Sequence, residues 1–278
     1  MPPTTPLDLA RLKARGQRFA MVTAYDYASA RLAARAGLKV LLVGDSLGMV
    51  MLGYDTTLPV TLDDMARAAA AVVRGAPGAL VVADLPFLTY ATITDAVHAA
   101  GRLMRETGVK AVKLEGGRTV APVVARLVEL GVPVMGHLGF TPQSSHQIGV
   151  RVQAKTATGA EALMGDALAL QDAGAFAIVL ELVPREVAAA VTARLTIPTI
   201  GIGAGAGCDG QVQVWHDILG LMGEAPPRHA KVFADVGAVI EAALRDYAAA
   251  VQAGDFPADT QSAAMPPVEL DRMLAARG

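Results

Sequence analysis

From residue 19 to about residue 220 the chain alternates short apolar runs with amphipathic stretches of helical period. The runs, bounded by turn residues, predict strands over 19–24, 39–43, 79–83, 110–114, 132–136, 176–180 and 197–201. An eighth is placed at 211–215, with 231–236 as its rival. The rival reads more as the start of a C-terminal helix running on through Ile240, Ala243, Leu244 and Tyr247. Strand–helix alternation of this kind in a chain of 278 residues predicts a parallel (β/α)8 TIM barrel. No linker divides the chain. It reads as a single domain, with a barrel over about 19–220 and C-terminal helices over about 228–278.

The helices carry recognisable ends. Thr61 with Asp64 and Thr92 with Asp95 fit the capping box, and Gly37, Gly75, Gly108, Gly131 and Gly174 stand where glycines close helices. Two connections, 44–60 and 137–158, are too long to be simple links and leave the C-terminal ends of strands. Loops of that length in a compact domain are usually lids or binding loops. The tail from Phe256 onward reads as loosely packed, with a short helix near 268–276.

Composition narrows the class. With 53% hydrophobic and 18% charged residues the chain can bury a large core. The mean hydropathy of +0.41 comes from Ala and Val at strand and helix spacing. No stretch reaches the roughly 18 apolar residues that a membrane span requires. The segment from Met1 to Gly16 has no apolar h-region, so a secretory signal is not expected. A net charge of −2 without a basic block argues against a nucleic-acid partner. The single Cys208 excludes an internal disulfide and argues against a cysteine-based metal site. The expected location is the cytoplasm. The segment 66–73 (ARAAAAVV) offers little charge on any face, which points to partner subunits and a homo-oligomer.

The chemistry lies at the strand ends. Asp45, Asp84 and Glu115 each sit one or two positions beyond an apolar run, on the second, third and fourth strands. One acid after one strand is ordinarily a turn former or a helix cap. Three on neighbouring strands, about 4.8 Å apart, bring carboxylates within reach of one ion. Without a cation they would repel and raise one another's pKa. A hard divalent ion with oxygen ligands, most naturally Mg²⁺, resolves that conflict.

Lys113 lies two residues before Glu115 and so shares its face of the strand. It reads as a cation for a substrate carboxylate or a developing oxyanion. Ser46, beside Asp45, either donates to the same ligand or caps a turn. Glu181 ends the sixth strand, across the mouth from the proposed ion, and reads as a general base acting on a bound acid. His137 ends the fifth strand and is placed to hydrogen-bond a substrate oxygen. The glycine run 201–207 invites a phosphate-binding reading, but no Lys or Arg follows it. Close backbone approach explains it equally well.

The segments VTAYDY (22–27), VGDSLGMVMLGYDTTLPVTLDDM (43–65), ADLPF (83–87), VKLEGG (112–117), VMGHLGFTPQS (134–144), DAGAFAIVLE (172–181), IPTIGIGAGAGCDGQV (197–212) and HDILGL (216–221) resemble the ketopantoate hydroxymethyltransferase family. The resemblance runs from about residue 18 to 257. It implies a barrel that transfers a hydroxymethyl group from 5,10-methylenetetrahydrofolate to 3-methyl-2-oxobutanoate. It implies Asp45, Asp84 and Glu115 as the Mg²⁺ shell, Asp45, Ser46, Asp84 and Lys113 as contacts to the 2-oxo acid, and Glu181 as proton acceptor. Large homo-oligomers, often decamers, go with it. Two segments depart from the family pattern: Gln153-Ala154-Lys155, where Gln-Gly-Arg or Gln-Gly-Lys is usual, and the tail after Phe256-Pro257. The residues alone also fit a metal-dependent 2-oxo acid lyase or mutase working without folate, or a barrel that only binds a ligand.

Overall fold

The structure, a computed structural model, describes residues 3–223 and 225–276. Eight parallel strands close a barrel in chain order: β1 (Phe19–Thr23), β2 (Val40–Val43), β3 (Leu80–Asp84), β4 (Ala111–Glu115), β5 (Val134–Gly139), β6 (Ala177–Glu181), β7 (Thr199–Ile202) and β8 (Gly210–Gln213). β8 pairs back onto β1, with Phe19 beside Gly210. The strand expected at 211–215 is present but ends at Gln213. Trp215 instead opens a short helix, Trp215–Ile218, and its N–H donates to Thr23 Oγ1 at 2.9 Å. The rival at 231–236 is not a strand, since helix Val236–Ala253 starts at its end, capped by Asp235.

Side chains alternate across each strand. Val40 and Leu42, Leu80 and Val82, Ala111, Met135, and Ala177 and Val179 fill the barrel interior. The residues between them, such as Leu41, Val81, Val112 and Ile178, pack outward against the helices. Helix Pro6–Ala14 brings fully buried Leu9 into the interior layer. Continuing the inward series toward the C-terminal ends reaches residues 84, 113, 115, 137 and 181. The same alternation that builds the core therefore delivers polar side chains to the mouth.

Both capping boxes form as expected, on helices Leu62–Gly75 and Ile93–Thr107. Gly108 closes the second helix in the left-handed conformation at φ 80. Gly75 departs from expectation because it is the last helical residue of Leu62–Gly75. A Cβ there would lie 2.5 Å from the Tyr27 carbonyl oxygen and 2.8 Å from Ala30 Cβ, so it permits close helix contact and does not end a helix. The Ala-rich segment 66–73 is also corrected as an oligomer face: Ala66, Ala69 and Val72 are buried in the chain's own core. One stretch of uncovered apolar surface lies on helix Val236–Ala253, none of whose residues is buried. The terminal helix, Pro267–Ala275, falls where expected. No described helix is long and apolar enough to cross a membrane.

Candidate active site

Strand register assembles the site. Asp84 pairs with Lys113, Glu115 with His137, and Gly139 with Glu181. Asp45 and Ser46 follow β2 at the start of loop 44–60. Asp45, Asp84, Lys113, Glu115 and His137 are all buried, whereas the Glu181 side chain keeps 15% of its surface open. The turn after β5 depends on Gly139, at φ 93, where a Cβ would run into the Glu181 carbonyl oxygen. Phe140 N–H then donates to that oxygen at 2.8 Å, fixing the end of β6.

The polar groups form a continuous path around half the mouth. Asp45 N–H donates to Asp84 Oδ2 at 3.1 Å, and Lys113 Nζ lies 2.9 Å from Asp84 Oδ1. His137 Nδ1 is 3.3 Å from both Lys113 Nζ and Glu115 Oε1. Its Nε2 is 3.2 Å from Glu181 Oε2. His137 therefore sits between Glu115 and Glu181. Ser46 lies apart from this path, its hydroxyl 2.9 Å from Tyr25 OH, whose ring lies 5.6 Å from that of His216.

Electrostatics follow from crowding charges out of water. Burial, with Asp84 and Glu115 close by, pushes the Asp45 carboxyl up to about 8. Burial also raises Asp84 against the pull of Lys113. For Lys113, burial works against the charge, but Asp84, Glu115 and Asp45 together hold the ammonium above its ordinary range. Glu115 is held low despite burial, by His137 and Lys113. The imidazole is pushed up to about 9: burial and Lys113 oppose its charge, and Glu115 and Glu181 outweigh them.

Asp84 Oδ1, Glu115 Oε1 and His137 Nε2 are buried atoms without a hydrogen bond of good geometry. Asp45, Asp84 and Glu115 supply only carboxylate oxygens, the donor set of a hard divalent ion and not of zinc. The residues therefore fit Mg²⁺ in chemistry. Among the described residues no group of three or more His, Cys, Asp or Glu forms a ready-made cage. Lys113 pairs with Asp84, and Gln143 ties Asp45 to Glu115.

Gln143 and Tyr90 are the residues that strand-end reasoning does not reach. Gln143 lies in the turn Pro142–Ser144, inside the long loop after β5, and is buried. Its position within an overlong loop was the available signal. A neutral amide gave no charge pattern to single it out. The glycine run after β7 resolves in favour of close approach: Cβ atoms at Gly205 and Gly207 would meet Arg185 and Ala189 of helix Arg185–Arg194.

Among solved structures, the fold is similar to phosphoenolpyruvate phosphomutase from Streptomyces platensis subsp. rosaceus, with a TM-score of 0.62. That likeness covers 99% of this chain and 96% of the other at 15% identity, and it speaks for the barrel alone. In sequence the chain is 67% identical to 3-methyl-2-oxobutanoate hydroxymethyltransferase of Gluconacetobacter diazotrophicus, over 98% of this chain and 99% of that one. It is 59% identical to the enzyme of the same name from Chloroflexus aurantiacus, over 97% and 96%. The family model of ketopantoate hydroxymethyltransferase matches residues 3–259. The chain thus belongs to the ketopantoate hydroxymethyltransferase family.

Proposed function

We propose that this barrel transfers a hydroxymethyl group from 5,10-methylenetetrahydrofolate to 3-methyl-2-oxobutanoate, giving 2-dehydropantoate and tetrahydrofolate in pantothenate biosynthesis. Membership of the family carries the reaction. What supports the residue roles is the path from Asp84 through Lys113 and His137 to Glu181, with a buried cation at one end and a partly open carboxylate at the other.

Asp45, Asp84 and Glu115 would hold one Mg²⁺, which when bound supplies Lewis-acid polarisation of the oxo acid. Asp45 and Asp84 also belong to the substrate contacts, with Ser46 and Lys113 as donors to its oxygens. Glu181 takes the C3 proton as general base. The electron pair left at C3 delocalises onto the 2-oxo oxygen, and the Lys113 ammonium stabilises that charge in a water-poor setting. His137 orients Glu181 through the 3.2 Å contact, and a substrate oxygen would share that same Nε2–H, since Nδ1 faces Lys113 and Glu115. C3 then bonds to the one-carbon unit as both of its bonds to folate nitrogen break; water supplies the new hydroxyl, and its remaining proton together with the one taken by Glu181 goes to the two nitrogens.

The same reading places the protein in the cytoplasm as a homo-oligomer, a decamer by family resemblance. Exposed Val239, Ile240, Leu244 and Tyr247 on helix Val236–Ala253 support the oligomer, since such a face is ordinarily covered. The test is turnover by the purified protein with Mg²⁺, 3-methyl-2-oxobutanoate and methylenetetrahydrofolate. Dehydropantoate should form, EDTA should abolish it and added Mg²⁺ should restore it. Turnover of the oxo acid that ignores folate would favour a lyase or mutase instead.

A further inference from the structure

The three strand-end acids are each tied down by one oxygen. Asp84 Oδ2 accepts from Asp45 N–H, Asp45 Oδ2 accepts from Gln143 Nε2 at 2.8 Å, and Glu115 Oε2 accepts from Gln143 N–H at 3.0 Å. One residue therefore holds two of the three. Both donors of the Gln143 amide are used, because Nε2 also donates to Leu85 O at 2.9 Å, and Oε1 accepts from Tyr90 OH at 2.6 Å. Two acceptors on one side require the NH₂ there, so the amide orientation is chemically fixed. Of the remaining oxygens, Glu115 Oε1 is buried without a hydrogen bond of good geometry, 3.3 Å from His137 Nδ1, and Asp84 Oδ1 faces Lys113 Nζ at 2.9 Å.

We infer that Gln143 is a positioning residue for the divalent ion: with Tyr90 behind it, it locks one oxygen of Asp45 and one of Glu115 so that the others stay available as ligands. The inference rests on the metal reading above and deepens it. It also gives the loop after β5 a purpose, because that loop carries Gln143 back over β2, β3 and β4. Nothing in this role requires Gln143 to touch substrate. Outer partners of metal ligands are typically worth about 10–100-fold in affinity.

The alternative is that Gln143 merely satisfies a buried loop, which would alter stability but not ion affinity. The experiment is a Mn²⁺ titration followed by EPR, without oxo acid, well below the unfolding temperature. Gln143→Met keeps the length and the backbone N–H to Glu115 but removes the side-chain donor to Asp45 and the acceptor for Tyr90; it should weaken Mn²⁺ by about 10–100-fold. Tyr90→Phe frees only Oε1 and should give a smaller loss. Thr92→Ala, a cap change on an outer helix, should lower stability and leave affinity alone. A folded Gln143→Met that binds Mn²⁺ like wild type overturns the inference and leaves the metal reading standing. Should that variant fail to fold, unchanged affinity in Tyr90→Phe overturns it equally. If wild type itself takes up no Mn²⁺, the metal reading falls first.

Discussion

Ala154 holds a left-handed backbone, φ 56, a conformation that favours glycine. The reason it stays there is next door: Gln153 N–H donates to Leu182 O at 2.8 Å, one residue beyond Glu181, so the loop is tied to the site. An L-residue in that conformation costs roughly 1–2 kcal/mol, and glycine returns about 0.4–1 of that as unfolded-chain entropy. Ala154→Gly should therefore shift the urea midpoint upward by the equivalent of about 1 kcal/mol or less, with an unchanged slope. A lower midpoint would show that the loop is not strained. At this scale the sequence was most legible where polarity switches abruptly. Asp84, Glu115 and Glu181 announce themselves as acids closing apolar runs. Gln143 and Tyr90 do not, because an amide and a phenol in loops gain their meaning only when β2 to β5 bring them together.

Elements were legible wherever a local signal and the barrel agree. Thr92 Oγ1 accepts from Asp95 N–H at 3.2 Å and donates to Asp95 Oδ2 at 2.6 Å, the capping box that the spacing predicts. Thr92→Ala should cost about 1 kcal/mol of stability by denaturant titration. Activity per folded molecule should stay at the wild-type level; a fall in kcat would mean that this helix start reports to the site. The misses have the same kind of cause. β8 ends two residues before its apolar pattern does: Val214 and Trp215 continue the pattern, while the Thr23 hydroxyl captures the Trp215 N–H where a short helix starts. Gly75 resembles a helix-closing glycine in sequence, but its requirement comes from Tyr27 and Ala30, distant in the chain.

For the whole molecule, the apolar surplus has two destinations that composition cannot separate. The Ala-rich helix Leu62–Gly75 spends its small side chains inside the chain's own core. Helix Val236–Ala253 leaves Val239 67% and Leu244 61% exposed, so one amphipathic pattern is internal and the other is not. Only packing distinguishes them. The oligomer reading predicts sedimentation far above the 28.6 kDa of one chain at micromolar concentration. Replacing Leu244 and Tyr247 with Glu should shift the protein toward smaller species. A wild-type monomer under those conditions would contradict it.

The central claim is that a barrel mouth built by strand register places Glu181 as the base for a bound 2-oxo acid. The direct measurement is exchange of the C3 proton of 3-methyl-2-oxobutanoate with solvent deuterium, followed by NMR with Mg²⁺ and no folate, alongside oxo-acid affinity in the same samples. Glu181→Gln should keep the fold and bind the oxo acid within a few-fold of wild type, yet lose exchange by roughly 10²–10⁴. Exchange at the wild-type rate in that variant would contradict the account and pass the role to another group.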